Sequence, residues 1–89
     1  MNTTDARALL TRLLHRIAPE VDPSVLDDDA LIQEQLDLDS MDFLNLMTGL
    51  HDESGIDVPE HDYPRLATIG GFVAYVAAAP TAGAPHPAS

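Results

Sequence analysis

The residues best placed to do chemistry lie in one stretch, Leu36-Asp37-Leu38-Asp39-Ser40-Met41-Asp42. It sets one hydroxyl between carboxylates, where helical spacing begins. Two cappings are open. With Ser40 as N-cap, the third helical residue is Phe43 and no capping box forms. With Asp39 as N-cap, that residue is Asp42, and a box forms with a carboxylate in the first turn. The second arrangement leaves Ser40 first in the helix, its hydroxyl free and outward. A phosphate ester there would face the positive end of the helix dipole and unpaired N–H groups, so this geometry favours an anionic attachment. Taken alone, a serine at a helix start is most often just a cap.

Other chemistries fit less well. A calcium loop counted from Asp37 has Met41 in its fifth position and Asp42 where glycine is needed, and one counted from Asp27 has Leu31 fifth. His15, His51, His61 and His86 lack ligand spacing, and no Cys joins them to make a zinc site. No histidine is identifiable as a base for Ser40, so catalysis by this chain alone is not expected.

The segment carrying Ser40 reads as a helix from Ser40 to Ser54, stopped by Gly55. On a wheel with Phe43 at zero, Leu46, Met47 and Leu50 fall within roughly 60° and make a core stripe. Met41, Leu44 and Thr48 fall at about 100° to 160°, flanked by Asn45 and Asp52. This second patch, turned from the core and bordered by acids, is a candidate docking surface.

Further elements must position that helix. A first helix is expected from about Thr4 to Ala18, with Leu9, Leu10, Leu13, Leu14 and Ile17 on one face, Thr3 or Thr4 as cap and Pro19 at its end. Residues 19–39 form a long connection, with Val21, Val25, Leu31 and Leu36 expected to pin it to the core. A helical turn is expected around Ala30 to Gln35, capped by Asp29. An extended link Ile56-Asp57-Val58-Pro59 leads to a short turn at about Asp62 to Leu66, limited by Pro64. The last helix runs from Thr68, its N-cap, to about Ala78, on the stripe Ile69, Phe72, Val73 and Val76. Gly70 and Gly71 weaken its first turn. The tail, residues 80–89, is rich in Pro and Ala and is expected to be disordered.

Composition bounds the rest. At 89 residues the chain suits one domain. Apolar residues reach 45%, enough for a globular core, yet aromatics are only 4%, so aliphatic side chains must fill it. Fifteen acids face four arginines and no lysine, for a net charge of −11. Such a surface repels nucleic acid and anionic membranes and steers toward basic protein patches. Without Cys there is no disulfide and no intrinsic thiol nucleophile. The N-terminus lacks the pattern of a signal peptide, and no apolar run approaches the ~18 residues of a membrane span. A soluble, cytoplasmic, monomeric protein is expected, free-standing rather than cut from a larger synthase.

Asp39-Ser40-Met41 resembles the attachment motif of the acyl carrier protein family, the phosphopantetheine-binding carriers. The resemblance runs from about residue 5 to 78. It takes in Leu36-Asp37-Leu38, Asp42-Phe43-Leu44-Asn45-Leu46-Met47, Ser54-Gly55-Ile56-Asp57-Val58-Pro59 and Thr68-Ile69-Gly70. It implies an all-α four-helix bundle over residues 1–79, with a long loop after the first helix and a short third helix. It further implies 4′-phosphopantetheine on Ser40, beside Asp39, attached by a phosphopantetheinyl transferase and bearing acyl groups as thioesters. The chain would then be a carrier and no enzyme, serving acyl-transferring and synthase enzymes of fatty-acid, polyketide or related biosynthesis. Met41, Leu44 and Thr48 match the family's partner face, with Asp39, Asp42 and Asp52 meeting basic residues. Three features depart from the pattern: Asp37 stands where glycine is frequent, Asn45 and His51 where acids are frequent, and Thr48 where a larger apolar residue is common. The alternatives are an aminoacyl or peptidyl carrier, and a carrier fold used only for interaction, without the modification.

Overall fold

The computed structural model describes residues 1–79, apart from the side chain of Pro23; the expected tail, 80–89, lies outside the described residues. Among the described residues there are four α-helices and two 3₁₀ segments. Helix α1 spans Thr3–Ile17, α2 Ile32–Gln35, α3 Ser40–Ser54 and α4 Ile69–Ala78, with 3₁₀ turns at Pro23–Val25 and Glu60–Leu66. This is the expected all-α bundle: α1 packs on both α3 and α4, and the second 3₁₀ turn, the short third helix of the expectation, packs on α4.

The helical stripes read from the sequence form the core. Leu9, Leu10, Leu13 and Leu14 of α1 meet Phe43, Leu46, Met47 and Leu50 of α3 and Ile69, Phe72, Val73 and Val76 of α4, all buried. Ile17 is only partly buried at the edge. Fully burying each such side chain contributes roughly 1.5–3 kcal/mol of transfer free energy, so these stripes dominate the fold. Arg12 and Arg16 of α1 both reach Glu53 of α3, at 3.2 and 3.1 Å. Those pairs are largely exposed and add little.

Several local expectations are corrected. The cap of α1 is Asn2, whose Oδ1 accepts from the N–H of Asp5 at 2.7 Å. Thr3 and Thr4 therefore lie inside the first turn. Helix α2 begins after Leu31, not Asp29, and has no side-chain cap. Asp29 instead donates its N–H to Asp27, 2.8 Å away, within the loop. Val25 and Leu31 do not pin the connection: they are 75% and 43% exposed. Ile32, fully buried, does so with Leu36 and the partly buried Val21 and Leu26. The reason is backbone pairing. Leu31 forms an isolated bridge with Thr68, and the Ile32 N–H donates to Ala67 O at 2.8 Å. Extended backbone sends successive side chains to opposite sides, so Leu31 faces out and Ile32 in.

The first connection is also more ordered than expected. Gln35 plugs its turn, accepting from the Asp27 N–H at 2.6 Å and donating to the carbonyls of Asp27 and Ala30 at 2.7 and 3.1 Å. Arg7 grips Asp28 through two bonds of 3.0 and 2.8 Å, and Asp28 O accepts from the Gly70 N–H at the head of α4. The second 3₁₀ turn starts at Glu60, two residues before the expected Asp62, and runs through Pro64. Pro64 has no N–H to give, but its carbonyl still accepts from Ala67. Tyr75 of α4 holds this turn by donating to Asp62 at 2.7 Å, and Arg65 lies over the Tyr75 ring, 5.0 Å from its centre.

Candidate functional site

The start of α3 decides between the two cappings. Asp39 is the N-cap, in extended conformation, and its Oδ1 accepts from the Asp42 N–H at 2.9 Å. The Asp42 carboxylate accepts in return from the Asp39 N–H, at a longer 3.4 Å. This reciprocal box satisfies two amides that a helix start leaves unpaired. Ser40 is thereby the first helical residue. It is exposed, and its hydroxyl makes no hydrogen bond among the described residues.

The chain is bent into this start by Asp37, which sits in the left-handed region at φ 54°. Before it, Leu36 closes α2 onto Ile32 O at 3.1 Å and Leu38 donates to Gln33 O at 2.9 Å. Helix α2 and this bend hand the chain to Asp39 in one register. At the other end, α3 stops at Gly55, φ 75°, where the N–H donates to His51 O.

Met41, Leu44 and Thr48 of the expected docking residues are exposed on α3, while Asp42 and Asn45 border a groove between α3 and Leu13, Arg16 and Ile17 of α1. Met41 is 65% and Leu44 42% exposed. Thr48, Asn45 and Asp52 are exposed, and Asp42 is half-buried by its part in the box. Thr48 turns its hydroxyl inward to Leu44 O at 3.0 Å, so its methyl is left for the patch. His51, one of the departures from the family pattern, has Nδ1 3.3 Å from Ile56 O and so bears on the link that follows.

Beside Ser40 opens a cavity of about 360 Å³ between α3 and the second 3₁₀ turn. Gln33, Phe43, Leu44, Tyr63 and Pro64 line it. Tyr63 meets Phe43 edge to face, centroids 5.8 Å apart at 72°, which stiffens the wall. Sequence reasoning missed this feature, because the wall joins residues about twenty positions apart.

Charge is distributed unevenly. Arg7 is held by Asp28, Arg12 and Arg16 by Glu53, and Arg65 lies on Tyr75. Hydrogen bonding with Asp28 pushes the Arg7 pKa up and holds the Asp28 carboxyl below its ordinary value. Bonds from Ser24 similarly hold Asp22 down. The bond to Asp62 raises the Tyr75 phenol. Asp39 and Asp42 thus flank Ser40 with no arginine paired to either among the described residues. No group of three His, Cys, Asp or Glu is arranged to hold a metal among those residues.

The bundle thus leaves the Ser40 hydroxyl exposed at a helix head, with a groove at its side. The family described as a phosphopantetheine attachment site matches residues 7–76, and the chain belongs to it. It is similar to the acyl carrier protein of Lactobacillus johnsonii, 36% identical over 56 residues, 63% of this chain and 70% of that one. It is likewise similar to the acyl carrier protein of Rickettsia canadensis, 28% identical over 78 residues, 85% and 88% of the two chains. The acyl carrier protein of Rhodococcus erythropolis is 32% identical over 56 residues. The group carried is 4′-phosphopantetheine. The residues present fit it: an exposed serine hydroxyl without a partner among the described residues, at the first position of a helix, and an open groove alongside.

Proposed function

We propose that Ser40 is the attachment residue and that the chain moves acyl groups between enzymes of fatty-acid, polyketide or related assembly. The observation that carries this reading is the capping box, which engages Asp39 and Asp42 with each other and leaves the Ser40 hydroxyl free. When bound, phosphopantetheine supplies the thiol, and hence the thioester chemistry, that a chain without Cys lacks. Ser40 gives its hydroxyl oxygen to the phosphodiester. The first turn of α3 fixes the direction in which that oxygen points, and its dipole favours the phosphate's charge. Gln33, Phe43, Leu44 and Tyr63 offer the groove where chain beyond Ser40 can rest.

Docking falls to α3. Asp39, Asp42 and Asp52 draw in the basic patch of a phosphopantetheinyl transferase or synthase enzyme, and Met41, Leu44 and Thr48 supply a small apolar contact, with Asn45 at its rim. Such an interface favours fast arrival over tight binding. No described helix is long and apolar enough to cross a membrane. A cytoplasmic setting, where transferase and coenzyme A meet the chain, suits this role.

The test is direct. Incubated with coenzyme A and a broad-specificity phosphopantetheinyl transferase, the chain gains the mass of one phosphopantetheine, and Ser40→Ala does not. A chain left unmodified by several transferases would overturn the reading in favour of a bundle used only for interaction.

A further inference from the structure

The residue after Ser40 is a methionine, and it is the most exposed of the chain's three. Met41 is 65% exposed, Met1 38% and Met47 6%. The chain contains no Cys, so before modification it has no thiol to consume an oxidant. Thioether oxidation follows accessibility and converts a flexible apolar side chain into a polar one. Met41 therefore joins two properties on one side chain: it is the most open sulfur, and with Leu44 and the Thr48 methyl it makes up the exposed apolar patch of α3 next to Ser40.

We propose that the Met41 thioether is a reversible oxidation site for peroxide-class oxidants, and that its oxidation weakens docking at Ser40. The second half rests on the reading of Ser40 given above. In the reaction the sulfur lone pair attacks one peroxide oxygen. The O–O bond breaks, an S–O bond forms, and water leaves. Sulfur loses two electrons and the peroxide gains them. The reverse step uses two thiols of a methionine sulfoxide reductase, which take the oxygen as water and close to a disulfide. The sulfoxide is a strong hydrogen-bond acceptor, and a partner's apolar patch would have to desolvate it without pairing it. Met47 is the internal contrast, since it carries the same chemistry buried in the core.

The experiment uses the full chain with Ser40 unmodified. It is treated with limiting hydrogen peroxide and the sulfoxides are placed by peptide mapping. Met41 is expected to oxidise at least about tenfold faster than Met47. Transferase-catalysed loading of Ser40 should then slow roughly fivefold, the scale of one lost apolar contact, and recover after reductase treatment. Met41→Leu, whose Met1 remains oxidisable, should load at one rate before and after peroxide. Equal oxidation of Met41 and Met47 overturns the site. Unchanged loading of the sulfoxide form overturns its effect on docking, and so does slowing that persists in Met41→Leu. A reduced chain that no transferase loads overturns the carrier reading and the docking half with it, while the mapping still judges the oxidation site.

Discussion

At Asp37 the backbone takes a left-handed turn that suits glycine, and an aspartate holds it. Asp tolerates this region better than most residues but still strains against its own Cβ. Asp37→Gly should therefore stabilise the fold by about 0.5–1 kcal/mol, the relief being partly offset by glycine's greater freedom when unfolded. A higher urea midpoint with an unchanged slope would show it; a lower midpoint would mean that the Asp37 side chain supports the bend. The importance of Asp37 was legible only through the family resemblance, in which glycine is frequent at that position. The box was legible as one of two possible cappings, since Asp39 and Asp42 have its spacing. The groove wall was not, because an edge-to-face contact between Phe43 and Tyr63 leaves no local signal.

Elements were legible where one stripe of apolar residues sets them, as in α1, α3 and α4. They were less legible where distant backbones meet. The pairing of Leu31 with Thr68 inverted which of two neighbouring residues is buried, and nothing in residues 28–34 alone encodes that partner. Helix α4 makes the same point. Its Gly71 reads as a weakness, yet a Cβ there would press on the Arg65 carbonyl and the Thr68 hydroxyl that caps the helix. Gly71→Ala should destabilise by about 1–3 kcal/mol, outweighing the ~1 kcal/mol gain in helix propensity. Thermal melts would detect it, and a rise in midpoint would contradict the packing. The strap from α1 to α4 through Asp28 predicts an acid response. Asp28 and Asp22 titrate below their ordinary value of 3.8 when folded. Their stabilisation is present above that unfolded value and is lost as pH falls through the folded ones. Midpoints measured between about pH 2 and 5 should fall on the acid side, and Asp28→Asn should make that fall shallower.

For the whole molecule, the charge of −11 is less even than the number implies. Three of the four arginines lie on α1, all paired with acids, while Asp39 at the cap of α3 and Asp52 within it are exposed and Asp42 is half-buried, none of them paired with an arginine among the described residues. Association with a basic partner should weaken as salt rises. Asp52→Lys should lower the association rate severalfold at low salt and flatten its salt dependence. Stopped-flow loading at two ionic strengths would report this, and identical slopes would remove α3 from the encounter. Asp52 is the cleaner position, because Asp42 also closes the box.

Placing Ser40 first in α3 has a mechanical consequence. A helix of fifteen residues is a stiff rod of about 22 Å. The backbone at its head moves with the rod, and anything fastened there swings only about the single bonds of its own attachment. An enzyme that grips the side of the rod therefore also places its tip. The root of the load is located by how the shaft is held, before the load touches anything.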